Sequence, residues 1–185
     1  KPNILLAYSS RFDLEKKDNK ILETQLIEIL DVLKNFPNHK IVFKVHPKKN
    51  NPYYLEIFKK FKNLKIEVSN ENLLKLTNEC DVLVHDKLSS VIYEGLSLKK
   101  PCVEYWSVIN NKDPDYIYAH DELKLNIKAN NSSELNNLIN LAVKEPSNLI
   151  WKKQQSNYLS INHQNIENSA NKTATLCKEI MSSQK

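Results

Sequence analysis

Short apolar runs alternate with segments whose apolar residues recur at every third or fourth position, and the alternation repeats along most of the chain. The run Asn3 to Tyr8 predicts a strand. The next segment, Lys20 to Asn35, carries Ile21, Leu22, Leu26, Ile29, Leu30 and Leu33 on one stripe and predicts an amphipathic helix. The same reading predicts strands at Lys40 to Val45, Leu64 to Val68, Asp81 to Val84 and Cys102 to Tyr105, with helices between them at Pro52 to Phe61, Glu71 to Asn78 and Ser89 to Leu98. After an irregular Asn-, Asp- and Pro-rich stretch, Val108 to Glu122, come a weaker strand at Leu125 to Ile127 and a helix opened by the capping pattern Asn131-Ser-Ser-Glu134. Helices at Ser147 to Leu159 and Ile166 to Met181 complete the chain. Each crossover between parallel strands carries a helix over the sheet, so this order predicts an α/β, Rossmann-like parallel sheet with helices on both faces.

At 185 residues the chain is long enough for one well-buried domain and too short for two Rossmann-sized halves, so residues 1–185 read as a single domain. It opens at Lys1 directly into the first strand, without an initiating methionine, a signal peptide or an apolar span of membrane length. The expectation is a piece of a longer protein, soluble or membrane-peripheral. Cys80, Cys102 and Cys177 are odd in number and unrelated in spacing, which fits buried thiols in a reducing compartment better than disulfides or a metal site. The formal charge of +5 comes almost wholly from lysines spread along the sequence, the pattern of a solvated surface rather than of a nucleic-acid-binding face.

The candidate chemistry lies at strand ends, the edge where open α/β sheets bind ligands. Lys44, Val45, His46 and Pro47 close the second strand. Pro47 stops it, so the His46 imidazole is expected at the sheet edge, as a hydrogen-bond donor to a phosphate or as a general acid or base. His85 follows the strand at Asp81 to Val84 and reads equally as support for the same site or as a turn-stabilising ring. Ser89 and Ser90 then open a helix; one could be an ordinary N-cap, but two exceed that need, and their hydroxyls with the helix-end N–H groups suit a phosphate. Glu94 is four residues after Ser90, one too many for a capping box. About 6 Å along the helix, it reads as an acceptor for ribose hydroxyls or as a solvent-facing carboxylate. In the turn after the first strand, Ser10 stands beside Arg11, the one arginine of the chain, which reads either as a bidentate phosphate clamp or as a surface ion pair.

The single glycine, Gly95, removes whole classes of function. Walker loops and dinucleotide fingerprints need several glycines so that backbone can approach phosphate. ATPase and NAD-dependent dehydrogenase readings therefore fall away.

Taken together, a strand ending Lys-x-His-Pro, Asp81-Val-Leu-Val-His followed by Ser-Ser-x-x-x-Glu-Gly-Leu, and Lys-Lys-Pro before another strand resemble the carboxyl-terminal donor domain of GT-B glycosyltransferases. The resemblance is greatest to the bacterial surface-polysaccharide branch: CDP-glycerol glycerophosphotransferases, capsule Kdo transferases and polysialyltransferases. It covers roughly Asn3 to Tyr105, with the helix near Ile166 to Met181 resembling the closing helix. It implies one half of a GT-B fold, with His46, Pro47, Ser89 and Ser90 on the nucleotide of a CDP- or CMP-activated sugar or glycerol donor, and Glu94 at the acidic position that follows the serines. The implied enzyme is an inverting, metal-independent transferase with no resident cofactor, in which His46 is the catalytic candidate and Arg11 and Lys44 help stabilise the leaving phosphate. A glycan or lipid-linked acceptor would be presented by a missing amino-terminal domain, and the protein would work in the cytoplasm, at the inner face of the bacterial membrane, without a nucleic-acid partner. Two departures stand out: the absent partner domain, and Lys87-Leu88 where Asp-Tyr-Ser-Ser is commoner. A nucleotide-sugar 2-epimerase and a non-catalytic nucleotide-binding or interaction domain are the alternatives.

Overall fold

The computed structural model describes residues 3–8, 16–45, 53–86, 89–107 and 123–161. Six strands form one parallel sheet: β1 (Asn3–Ala7), β2 (Lys40–Lys44), β3 (Ile66–Ser69), β4 (Val82–Asp86), β5 (Cys102–Tyr105) and β6 (Lys128–Ala129), in the order β3-β2-β1-β4-β5-β6. The helices are α1 (Lys16–Leu33), α2 (Tyr53–Lys59), α3 (Leu73–Glu79), α4 (Val91–Ser97), α5 (Ser132–Lys144) and α6 (149–161). The chain builds outward from β1 through β2 to β3, then returns to the other side of β1 as β4. β1 and β4 therefore flank the switch point of the sheet, where diverging connections leave a crevice at the carboxyl ends of the strands.

Two apolar layers hold the sheet. On one face Leu26, Ile29, Leu30 and Leu33 of α1, Ile57 of α2, and Leu135, Ile139 and Ala142 of α5 cover Ile4, Leu6, Ile41, Phe43, Val82, Val84 and Val103. The Phe43 ring packs against Tyr54 and Phe58, with centroids 4.9 and 5.0 Å away. On the other face Leu76 of α3 and Ile92 and Leu96 of α4 cover Leu5, Ala7, Val42, Leu83 and Cys102.

Gly95 explains how α4 lies so close. An added Cβ would collide with Cys102 Sγ and come 2.8 Å from Leu83 Cδ2, so the glycine serves helix-to-sheet packing. α6 fastens the amino end of β5 through a side chain: buried Gln154 donates to the carbonyls of Cys102 (2.9 Å) and Leu125 (2.8 Å), and its Oε1 accepts from the Cys102 N–H at 3.3 Å. Trp151 of this helix joins the first apolar layer, whereas Tyr158 and Ile161 pack on the second.

The capping pattern predicted at Asn131 forms. Asn131 Oδ1 accepts from the Glu134 N–H at 2.9 Å, while the Glu134 carboxylate accepts from the Asn130 N–H and from Asn131 Nδ2, each at 2.8 Å. Those bonds, the Asn130 N–H first, hold the Glu134 carboxyl below its ordinary range.

Several boundaries move. β4 runs to Asp86 rather than Val84, which places His85 inside the strand. β3 begins at Ile66, and as an edge strand it leaves Val68 38% exposed while burying Ser69. The last strand forms at Lys128–Ala129 rather than at Leu125 to Ile127, because it is there that the chain pairs with Glu104 and Tyr105. Cys80 and Cys102 are free, buried thiols, as expected. The stretch 108–122, Cys177 and the helix expected near 166–181 lie outside the described residues.

Candidate functional site

A cavity of about 360 Å³ opens at the carboxyl edge of the sheet. Its floor is Ala7 and Tyr8 at the end of β1 and Lys44 and Val45 at the end of β2; its walls are the turn Asn70 to Leu73 that leads into α3, and Ser89 and Val91 at the start of α4. Alternation along β2 places Lys44 on the face of Val42, under α3 and α4.

Lys44 is the cation of the floor. Its Nζ donates to the Val45 carbonyl at 2.9 Å, and partial burial lowers its pKa. Ser89, on the wall formed by the start of α4, is half-buried, and Ser90 is exposed in helical geometry without a side-chain capping bond. The Ser89 and Ser90 carbonyls accept from the Ile92 and Tyr93 N–H groups, so the backbone of α4 starts on the serines while their hydroxyls are not spent on capping it. α4 itself has only 7 residues, shorter than expected.

In the wall that leads into α3, next to Lys44 in the sheet, Ser69 Oγ accepts from the Glu71 N–H at 3.2 Å, and Asn72 Oδ1 accepts from the Leu74 N–H at 2.9 Å to cap α3. The Glu71 carboxylate accepts from Lys75 Nζ at 2.7 Å, a bond that lowers the Glu71 pKa and raises that of Lys75. At the far end of α3, Lys100 donates to the carbonyls of Asn78 and Cys80, both at 2.8 Å, placing a cation where the helix dipole is negative.

The floor is anchored from the other face. Tyr8 donates to Gln25 Oε1 and Tyr105 donates to Glu28 Oε2, each at 2.8 Å, which ties β1 and β5 to α1. Burial, with Asp86 and Glu28 next, drives the Tyr8 phenol well above its ordinary pKa, and burial raises Tyr105 to about 12. Both stay protonated donors at neutral pH.

Of the residues singled out in the sequence, Lys44 and Ser89 meet in this cavity. Ser90 and Glu94 lie outside its wall; Glu94 is half-buried, with Oε2 shielded and without a hydrogen-bond partner among the described residues. His85 is fully buried in β4, beside Ala7 and Glu104, and its Nδ1 lies 2.9 Å from the Asp86 carbonyl oxygen. A ring sealed in the sheet cannot be the turn-side group expected after a strand ending at Val84, because the strand continues past it. Ser10, Arg11, His46 and Pro47 lie outside the described residues, as do Lys87 and Leu88. The turn Asn70 to Leu73 was missed. Its signal was the polar run Ser69-Asn-Glu-Asn72 directly after an apolar strand, the same pattern used to pick out the other strand ends.

Among the described residues no group of three or more His, Cys, Asp or Glu side chains is placed to hold a metal, and no helix is long and apolar enough to cross a membrane. The sequence contains one Asp-x-Asp triplet, Asp113-Pro-Asp115, in the stretch 108–122, which lies outside the described residues.

No family model matches the sequence, and no curated protein is significantly similar to it. Solved structures are similar in shape. The S. aureus MnaA–UDP co-structure superposes with a TM-score of 0.56 at 14% identity, over 85% of this chain and 39% of that one. Anabaena Alr3699/HepE in complex with UDP-glucose gives 0.56 at 18% identity, over 91% and 49%. The catalytic domain of cholesterol-alpha-glucosyltransferase from Helicobacter pylori gives 0.52 at 14% identity, over 86% and 99%. The chain thus spans less than half the length of the first two. At these identities the likeness is one of fold: the chain has a Rossmann-like parallel sheet with helices on both faces, the architecture of one half of a GT-B glycosyltransferase.

Proposed function

We propose that this chain is the donor-binding half of a GT-B transferase, and that a nucleotide-activated donor sits in the cavity at the carboxyl edge. The observation that carries the reading is the meeting of Lys44 and Ser89, from the ends of two different strand-helix units, in a 360 Å³ cavity beside the switch point of the sheet. A lysine and a hydroxyl whose side chain caps no helix are suited to phosphate oxygens. His46 follows Val45 of the cavity floor directly in sequence, which supports its role as phosphate donor or general acid-base group. Glu94, with a shielded and unpartnered oxygen, is suited to accept from ribose hydroxyls.

The motif resemblance favours a CDP- or CMP-activated sugar or glycerol donor, used in bacterial surface-polysaccharide synthesis with an acceptor held by a further domain. Calorimetric titration with CMP, CDP, UDP and GDP tests this. A cytidine nucleotide is expected to bind most tightly, and Lys44→Ala and the Ser89→Ala/Ser90→Ala double variant are each expected to weaken it about tenfold, the scale of a lost bond to a charged group. No nucleotide binding, or unchanged affinity in folded variants, would refute the site.

A second reading, a nucleotide-sugar 2-epimerase, is favoured by fold likeness to the UDP-GlcNAc 2-epimerase from Methanocaldococcus jannaschii, with a TM-score of 0.54 at 21% identity over 88% of this chain and 45% of that one. Turnover of a nucleotide sugar by the full-length protein without any acceptor would distinguish it.

A further inference from the structure

Helix α6 has two unlike faces. Trp151 and Gln154 are each 2% exposed, and Gln154 bonds to both backbone groups of Cys102 at the amino end of β5, so the helix is locked in one rotation about its axis. The other face is thereby fixed outward. It carries Leu149, Lys152, Lys153, Ser156, Leu159 and Ser160, all exposed, with Leu149 79% and Leu159 44% accessible.

The turn that opens the helix is held as firmly. Asn148 Oδ1 accepts from the Ile150 N–H at 3.1 Å and caps α6, while Asn148 Nδ2 donates to the Glu145 carboxylate at 2.8 Å. That bond engages the last acidic side chain before the helix. From Pro146 to Ile166 the sequence contains no Asp or Glu. Elsewhere lysines are matched: Lys34, Lys40, Lys59, Lys60 and Lys75 each meet a carboxylate within 3.4 Å. Lys144, Lys152 and Lys153 are exposed and meet no carboxylate among the described residues.

Exposed aliphatic side chains set among unmatched lysines fit one kind of surface. A nucleic acid would satisfy the lysines and leave the leucines in water, and a protein partner would call for an aromatic or arginine anchor that this face does not carry. A bilayer with anionic headgroups satisfies both, because leucines enter the acyl boundary while the ammonium groups stay level with the phosphates. We infer that the outward face of α6 is a contact site for an anionic lipid surface. The helix crosses the amino end of β5, whereas the cavity opens at the carboxyl edge of the sheet, so a membrane held there leaves the cavity accessible.

Co-sedimentation of the chain with vesicles of phosphatidylcholine, and of equal parts phosphatidylcholine and phosphatidylglycerol, tests this, with a short DNA duplex as a lipid-free polyanion. Circular dichroism checks that each variant folds. The chain is expected to bind the phosphatidylglycerol vesicles, and less tightly as salt is raised. Lys152→Gln/Lys153→Gln is expected to weaken that binding about twentyfold, roughly fivefold for each charge. Leu149→Ser/Leu159→Ser is expected to weaken it about tenfold, through lost insertion. Lys59→Gln/Lys60→Gln, an equal change of charge at the end of α2, is expected to leave it within about twofold. Binding to neither vesicle or equally to both, an equal loss in the α2 variant, or full retention in the leucine variant would overturn the inference. So would DNA binding as tight as that to vesicles, which would mark a polyanion site that needs no lipid.

Discussion

On the face of the sheet that carries α1, α2 and α5, long helices of 18 and 13 residues lay continuous apolar stripes over Ile4, Leu6, Phe43, Val84 and Val103. On the face that carries α3 and α4, two helices of 7 residues cover Leu5, Ala7, Val42, Leu83 and Cys102, and both the 360 Å³ cavity and a second one of about 230 Å³ between α3 and β2 open there. Short helices cannot roof the whole length of the strands. The uncovered carboxyl ends, at Ala7, Tyr8, Lys44 and Val45, become the floor of the cavity. The comparison teaches a division of labour: one layer supplies most of the burial that opposes chain entropy, and the other gives up burial for access to the strand ends.

The sharpest way to break this comparison is to remove one large side chain from each layer. Phe43→Ala is expected to cost about 3–5 kcal/mol, since the ring is enclosed by Tyr54 and Phe58. Leu76→Ala, at the wall of the 230 Å³ cavity, is expected to fall near the low end for such a change, about 2 kcal/mol. Urea unfolding followed by circular dichroism measures both, and equal losses would show that the two layers carry the fold alike.

Gly95 probes the one tight spot of the looser layer. Glycine to alanine inside a helix ordinarily stabilises by about 0.5–1 kcal/mol. Here the added methyl meets Cys102 Sγ and Leu83 Cδ2, and overpacking reverses the sign to a loss of about 1–3 kcal/mol. The Gly95→Ala/Cys102→Ala double variant should recover part of that loss, because it removes the colliding sulfur. A Gly95→Ala variant more stable than the parent would mean that α4 slides freely on the sheet.

The buried thiols sharpen the comparison with a smaller effect. Burial pushes Cys80 up to about 12, from an ordinary value of 9.0, and pushes Cys102 well above that ordinary value too. A group of raised pKa that is neutral when protonated ionises first in the unfolded chain. Stability should therefore fall as pH rises from about 9 towards 12, by up to about 1.4 kcal/mol per pH unit for each thiol. Cys80→Ala should make that slope shallower. Thiols that react rapidly with a water-soluble disulfide reagent at pH 8 would instead mean that water reaches this layer from the cavity beside Cys80.

The legibility of the site follows the same physics. Lys44 and Ser89 could be found because a strand end and a helix start are local patterns, and the strand-end rule places them on one edge. The end of β4 was misread because a strand's length is set by its neighbours: β1 and β5 continue alongside β4 to Ala7 and Tyr105, and they carry His85 and Asp86 into the sheet. Glu94 was placed correctly on a helix, but its distance from the cavity depends on how α4 turns over Gly95, which is a packing outcome.

By itself the sequence determined the alternation of strands and helices, the parallel sheet, the Asn131 cap and the exclusion of glycine-rich phosphate loops, because each depends on periodicity, turn chemistry or backbone freedom within a few residues. Only the tertiary structure decided that Asn70 to Leu73 would line one cavity with Lys44 and Ser89, that Gly95 would serve contact with Cys102, and that Gln154 would close the amino end of β5. Those outcomes join residues from 7 to 52 positions apart, and what joins them is the order of strands in the sheet and the depth to which each helix settles upon it.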